Sequence, residues 1–243
     1  MIPILFQSIQ DRIFPKKRRF ARLRKPDYFG RHDGKDFLVL ATGPTISTHK
    51  VEIQRFIRVK RSQLVIMACN YIGDLCIPDY QVIINRKRFC TFGQDAPQAA
   101  TLILSYLLPR WIIRNVIQDR HYECVYHHGS NVSDYGELSI DDRGVLHTRG
   151  STVAMIALGT AIVMGARFVY CAGLDGFSQY AHRQEDTHCF KDPESIQFDR
   201  RLINEHATHG ILKDCAKILG ERGGTLKVIT PTVYKEFYDG TAL

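Results

Sequence analysis

Tyr180, His182 and His188 lie close together in a polar stretch that follows Gly173-Leu174-Asp175-Gly176. Just before it, Phe168-Val169-Tyr170-Cys171 has the continuous apolar character of a buried strand. The two glycines permit a turn closed to other residues. A loop at the carboxyl end of a strand, carrying phenol and imidazole groups that move protons, is where α/β proteins hold their chemistry. The competing reading is an ordinary strand-to-helix connection with surface histidines.

Other chemistry-bearing residues fall at comparable places. Asn70 and Asn85 each end an apolar run, Gln63–Cys69 and Tyr80–Ile84. An asparagine offers a donor and an acceptor in fixed geometry, which suits a ribose or a pyrimidine edge, and it is equally common as a turn or cap residue. Thr42-Gly43-Pro44-Thr45 joins a strand to a helix, and backbone N–H groups at such a start favour a phosphate. The turn is neither Gly-x-Gly-x-x-Gly nor a P-loop. His121, His127 and His128 suggest zinc at first sight. On one strand, alternation puts His121 and His127 on one face and His128 on the other, which disfavours three convergent ligands. No Asp-x-Asp pair and no Gly-x-Ser-x-Gly elbow occurs. Cys189 beside His188 is no cysteine-protease arrangement, since adjacent side chains diverge.

Strands alternating with helices must position these groups. Asp36–Ala41, Gln63–Cys69, Tyr80–Ile84, Tyr122–His128, Phe168–Cys171 and Leu226–Ile229 are expected strands. Expected helices cover Ser47–Arg58, Ala99–Val116 (broken at Pro109), Thr152–Met164 and Ser195–Leu219. Residues 129–149 read as loop with a hairpin turning at Asp141-Asp142-Arg143-Gly144. Continuous apolar runs mean a mostly parallel sheet covered by helices on both faces, a Rossmann-like α/β fold. The expected organisation is a basic arm over 1–35 and one α/β domain over 36–243, with a small lid at about 177–195.

The chain of 243 residues has a net charge of +8. Arg12–Pro26 holds eight Lys and Arg and no acid, so the remainder sums to zero. This is a neutral domain with a basic arm, which disfavours a general nucleic-acid binder. Phe14, Phe20 and Leu23 interleave the cations, and Ile2–Phe6 precede them. That pattern suits an anionic membrane surface, each Lys or Arg adding roughly 1 kcal/mol near anionic lipid. An RNA-binding arm, a solvated tail and a contact in a homo-oligomer are the other readings. No run of about 20 apolar residues spans a bilayer. The N-terminus lacks the order of a signal peptide, and seven scattered cysteines without Cys-x-x-Cys indicate reduced thiols in a cytosolic setting.

Taken in order, these pieces resemble the bacterial sialyltransferases of the Campylobacter lipooligosaccharide type, glycosyltransferase family 42. Leu40–Thr45 resembles that family's Gly-Asn-Gly-Pro-Ser turn, Cys69-Asn70-Tyr71 its Cys-Asn, and Ile83-Ile84-Asn85 its aromatic-Asn. Arg149-Gly150-Ser151-Thr152 resembles its Arg-x-x-Ser, Gly173-Leu174-Asp175 its Gly-Ile-Asp, and Ile229-Thr230-Pro231 its last strand. The ordered match runs from about residue 36 to 237. The resemblance implies a metal-independent, inverting transfer of a sialic-acid-type sugar from a CMP donor, with no cofactor, to a glycan or lipid-linked glycan in surface lipopolysaccharide synthesis. It implies His188 as general base, with His182 as the nearby alternative, and Tyr180 on the leaving phosphate. Thr42, Gly43, Pro44, Asn70, Asn85, Arg149, Ser151, Thr152, Gly173, Asp175 and Phe177 fall on its donor site. An enzyme with a lipid-linked acceptor would sit peripherally on the cytoplasmic face of the membrane.

The departures are specific. The family's turn asparagine is Thr42 here, and its second phosphate-facing tyrosine falls on Phe177, which donates nothing. CMP-Kdo or another CMP-nonulosonate then suits the chain as well as CMP-sialic acid. Two other functions remain open. One is a magnesium-dependent nucleotide enzyme of the related pyrophosphokinase-like group, using Asp175, Glu185 and Asp186. The other is a non-catalytic nucleotide- or glycan-binding protein.

Overall fold

Continuous apolar strands are stable only when helices cover both faces of their sheet, and the computed structural model has that architecture. It describes residues 24–128, 138–148, 152–180, 188–189 and 198–243, the last segment as backbone alone up to 204. Arg149, Ser151 and His182 lie outside the described residues, as do 1–23 of the arm and 181–187 and 190–195 of the expected lid.

The element order is β1 (Asp36–Leu40), α1 (Thr45–Thr48), α2 (Lys50–Lys60), β2 (Leu64–Cys69), β3 (Tyr80–Ile83), α3 (Arg86–Phe92), β4 (Thr101–Ser105), α4 (Arg110–Ile117) and β5 (Tyr122–Val125). It continues with β6 (His127–His128), β7 (Leu138–Ile140), β8 (Leu146–Thr148), α5 (Val153–Val163), β9 (Phe168–Ala172), α6 (Phe198–Glu221) and β10 (Thr225–Val228). Seven strands form one sheet in the order β10-β9-β1-β2-β3-β4-β5, every pair parallel. The fold is a Rossmann-like α/β fold.

The two-residue period of β1 divides the core. Phe37 and Val39 join the cluster under α5 and α6, while Leu38 and Leu40 join the cluster with Ile53 and Phe56 of α2. Helix α5 is buried from Ala154 to Val163 because it is apolar on every side. Each such aliphatic side chain contributes ~1.5–3 kcal/mol relative to exposure. Its one hydroxyl, Thr160, is satisfied by the Ile156 carbonyl at 2.7 Å. The start of the domain is tied to the end of this helix. The amides of Gly30, His32 and Gly34 donate to the carbonyls of Val163, Met164 and Gly165. Residues 26–34, grouped with the arm by sequence, therefore pack at the amino end of the sheet.

Three expectations need correction. Ala99–Val116 is not one helix: Thr101–Ser105 is a central parallel strand, and only Arg110–Ile117 is helical. Tyr122–His128 is not one strand: it breaks at Tyr126, and β6 joins a separate three-stranded ribbon, β6-β8-β7. The first helix divides at His49 into α1 and α2. The hairpin at Asp141–Gly144 is present, with Asp141 Oδ1 accepting from the amides of Arg143 and Val145. Among the described residues no helix is long and apolar enough to cross a membrane.

Strand β1 lies between β2 and β9. The chain builds outward from β1 to β5, then returns to place β9 and β10 on the other side. The switch point, where an open parallel sheet leaves a crevice, is therefore the pair β1/β9.

Candidate functional site

A cavity of about 440 Å³ opens over the carboxyl ends of β9, β1, β2, β3 and β4. Thr42, Gly43, Asn70 and Asn85 line it from the sheet side, and Thr152 from the start of α5. Gly173, Asp175, Phe177, Tyr180 and His188 line it from the loop after β9. Pro44 stands apart as the residue preceding α1. Ten of the residues expected at a donor or catalytic site thus face one volume.

The switch point itself is closed. Gly43 N–H donates to Gly173 O at 2.8 Å, and a Cβ on Gly43 would lie 2.5 Å from both Gly173 O and Asp175 Cγ. Only glycine allows this approach. Asp175 is 3 % exposed and sits at the centre of a hydrogen-bond network. Its Oδ2 accepts from Thr45 N–H at 2.9 Å and from Tyr180 O–H at 2.7 Å, and its Oδ1 bonds the Thr45 hydroxyl. Thr230, fully buried, accepts from Gly173 N–H at 2.9 Å and bonds the Thr45 hydroxyl at 3.1 Å. Burial pushes the Asp175 carboxyl above its ordinary pKa, and the Thr45 and Tyr180 hydrogen bonds pull it back.

This arrangement changes the reading of the Gly-Pro turn. The amides of Gly43, Thr45, Ile46, Ser47 and Thr48 are all engaged by protein acceptors. The Gly43 and Thr45 amides hold the turn to the β9 loop and the others close the turn on itself, rather than presenting a row of donors to a phosphate.

The two asparagines differ. Asn85 is an N-cap: its side chain accepts from the amides of Lys87 at 2.8 Å and Arg88 at 3.2 Å. Asn70 has φ 48°, a left-handed conformation that asparagine tolerates better than most residues. Its backbone is fixed by Asn70 N–H to Val82 O at 2.9 Å and by Gln81 Nε2 donating to Asn70 O at 2.5 Å. Its Oδ1 is buried in the cavity wall with no hydrogen-bond partner among the described residues. A buried acceptor left unpaired costs ~1–3 kcal/mol, which a ligand donor recovers.

His188 is positioned by its neighbour. Cys189 N–H donates to Thr42 O at 2.7 Å, and its thiol donates to Tyr71 O at 3.6 Å. These bonds lay the His188 segment over the ends of β1 and β2. All seven cysteines are free thiols, and burial raises the pKa of Cys189 to about 11, so it is no thiolate nucleophile.

Four residues that sequence did not single out for the cavity lie at its other end. Arg88, Ser105, Leu107 and His127 line it beyond β3. His127 Nε2 meets Ser105 Oγ at 2.8 Å, and burial lowers the imidazole pKa to about 4. Among the described residues no three His, Cys, Asp or Glu are grouped to hold a metal ion. Comparison with family models, with curated proteins and with solved structures finds no match to this chain.

Proposed function

We propose that this protein is an inverting, metal-independent glycosyltransferase. It moves a sialic-acid-type sugar, a nonulosonic acid or Kdo, from a CMP donor to a hydroxyl of a bacterial surface glycan. The observation that carries the reading is convergence. Thr42, Asn70, Asn85, Phe177, Tyr180 and His188 come from well-separated segments that the family resemblance orders, and they open on one cavity.

In this reading His188 takes the proton of the acceptor hydroxyl, a task suited to an imidazole near neutral pH. Asn70 Oδ1 receives a donor from the nucleoside. Tyr180 donates to the leaving phosphate, so its proton must leave Asp175 Oδ2. Burial raises the Asp175 pKa and the Thr45 hydrogen bonds remain, which eases the release of the tyrosine donor. CMP leaves with less charge than a nucleoside diphosphate, so hydrogen-bond donors suffice to stabilise it.

Asp175 also bears on the magnesium-dependent alternative. Thr45 and Tyr180 already engage its oxygens, which counts against a role as metal ligand. The test uses the intact chain. CMP raises the melting temperature without magnesium, a CMP-nonulosonate is hydrolysed or transferred, and His188→Ala abolishes transfer with CMP binding intact. Protection by ATP with magnesium and none by CMP sinks the reading.

Association with an anionic membrane surface belongs to the same proposal. The chain enters the domain at Pro26 and Tyr28, at the amino end of the sheet and away from the cavity. Flotation with anionic liposomes should require residues 1–26; flotation unchanged by their deletion rejects it.

A further inference from the structure

At the β4 end of the cavity the rim turns apolar on its outer side. Leu107 and Trp111 are 55 % and 62 % exposed. Their place follows from the topology. Helix α4 starts just after the carboxyl end of β4, so its first turn, with Trp111, stands on the cavity side of the sheet. Helix α3 starts likewise after β3, which puts Arg86 on the same side. Leu107 both lines the cavity and faces solvent. The backbone that presents it is fixed, since Ser105 accepts from the Leu107 amide with its Oγ and from the Leu108 amide with its carbonyl.

The charge around these two side chains has one sign. From Ile84 to Gln118 the chain carries Arg86, Lys87, Arg88, Arg110 and Arg114 against one acid, Asp95. Asp95 follows the far end of α3 and so lies at the amino end of the sheet. The Arg86 guanidinium sits 5.7 Å from the centre of the Trp111 ring. Arg110 precedes Trp111, and Arg114 lies one turn further along α4. All three arginines are exposed. Arg31, Arg61 and Arg143 form ion pairs, whereas Arg86, Arg110 and Arg114 form none among the described residues.

An indole and a leucine tip among such cations match the two layers of an anionic bilayer surface. The apolar tips enter the boundary between headgroups and acyl chains, and the guanidiniums stay at the phosphates. Single-stranded nucleic acid would use the cations and the indole face, but it gives an exposed leucine nothing to enter.

We propose that the Leu107–Trp111 rim is a membrane-contacting surface, separate from the basic arm, that docks on anionic phospholipid and turns the mouth of the cavity toward the bilayer. It does not rest on the transfer reaction. Within that reading it brings the cavity to the layer where a lipid-linked acceptor carries its hydroxyl. One bilayer can serve both arm and rim, because the 25 residues ahead of Pro26 can span as much as roughly 80 Å.

Trp111 is the single tryptophan of the chain, so its emission reports this surface and not the arm. The full chain is mixed with vesicles of phosphatidylcholine and phosphatidylglycerol, and flotation is measured beside Trp111 emission. The emission should shift to the blue and be quenched by lipids brominated on their acyl chains. Vesicles of phosphatidylcholine alone should do neither at the same lipid concentration. Flotation with unshifted, unquenched emission means that the arm alone binds, and overturns the rim, as does the absence of flotation. An equal blue shift with a single-stranded RNA oligonucleotide and no lipid assigns the surface to nucleic acid and overturns it too. Arg110→Gln with Arg114→Gln, at exposed positions of α4 where the fold should hold, should weaken the vesicle affinity read from Trp111 ~10-fold or more. Leu107→Ser should weaken it roughly 5-fold. Affinity unchanged in either variant overturns the proposal.

Discussion

The two ends of the cavity are built on opposite principles. At the β1/β9 end each Asp175 oxygen is engaged by a protein donor, and Gly43 and Gly173 bring two loops into contact. At the β2–β5 end, Asn70 Oδ1 has no hydrogen-bond partner among the described residues, and His127 Nε2 meets Ser105 Oγ in the cavity wall. The first end is saturated; the second holds a buried acceptor with no partner among the described residues. A polar cluster at the end of a parallel sheet is therefore not by itself a binding site. What separates scaffold from site is whether its hydrogen-bonding capacity is already filled.

Replacing Asp175 breaks the saturated end most severely. Asp175→Ala removes the acceptor of the buried Thr45 amide and of the Tyr180 hydroxyl and leaves the Thr45 hydroxyl with Thr230 alone. The expected loss is about 4 kcal/mol of folding stability, measured by urea unfolding. A loss under about 1 kcal/mol would mean that the network is not the clamp described.

The open end should reveal itself through pH. His127 has a folded pKa of about 4, below its unfolded value of 6.5, so the unfolded chain binds the extra proton. Its contribution is complete above about pH 6.5 and is lost as pH falls toward 4. Between pH 7 and pH 5 this single group should cost about 2 kcal/mol. In His127→Gln that part of the pH dependence disappears, and the urea midpoints of native and variant chains converge as pH drops. Parallel midpoints over that range refute the buried neutral imidazole.

The saturated end was legible in sequence, whereas of the open end only Asn70 and Asn85 were, for a physical reason. Gly173-Leu174-Asp175-Gly176 is a contiguous signal: glycines where backbones meet and an acid at a strand end. His127 acts through Ser105, 22 positions earlier in the chain. Its strand also breaks at Tyr126, so alternation counted from His121 does not carry across. Ser105 was hidden because Thr101-Leu102-Ile103-Leu104-Ser105 is a short apolar run next to a real helix, where periodicity cannot separate strand from helix. Helix α3 was missed because Arg86-Lys87-Arg88-Phe89-Cys90-Thr91-Phe92 has almost no apolar face; only Arg88 and Phe89 are buried. The outer architecture was readable because strands buried on both faces are continuous apolar runs, as in Leu64–Cys69.

Asn85 belongs to both ends of the comparison, since it caps α3 and faces the cavity. Asn85→Ala should cost about 1 kcal/mol through the lost cap. Asn85→Asp keeps an acceptor for the Lys87 and Arg88 amides and adds a favourable charge at the helix start, so stability should hold. If CMP affinity nevertheless falls in Asn85→Asp, the side chain also contacts ligand. If affinity follows stability in both variants, Asn85 is a cap alone.

Asn70 gives the smallest stability change and the sharpest test of the open end. Its φ of 48° is accommodated better by glycine than by any side chain, and its Oδ1 lacks a partner among the described residues. Asn70→Gly therefore removes both a strained backbone and a buried unpaired acceptor. These gains oppose the larger unfolded-state entropy of glycine, and the net change should lie within about 1 kcal/mol of zero. Ligand affinity should move the other way, falling ~10-fold as the acceptor is lost. A protein of unchanged stability and weakened binding is the signature of an atom held in place for a ligand. A variant that loses stability while binding CMP as before would return Asn70 to the scaffold, and with it the distinction between the two ends.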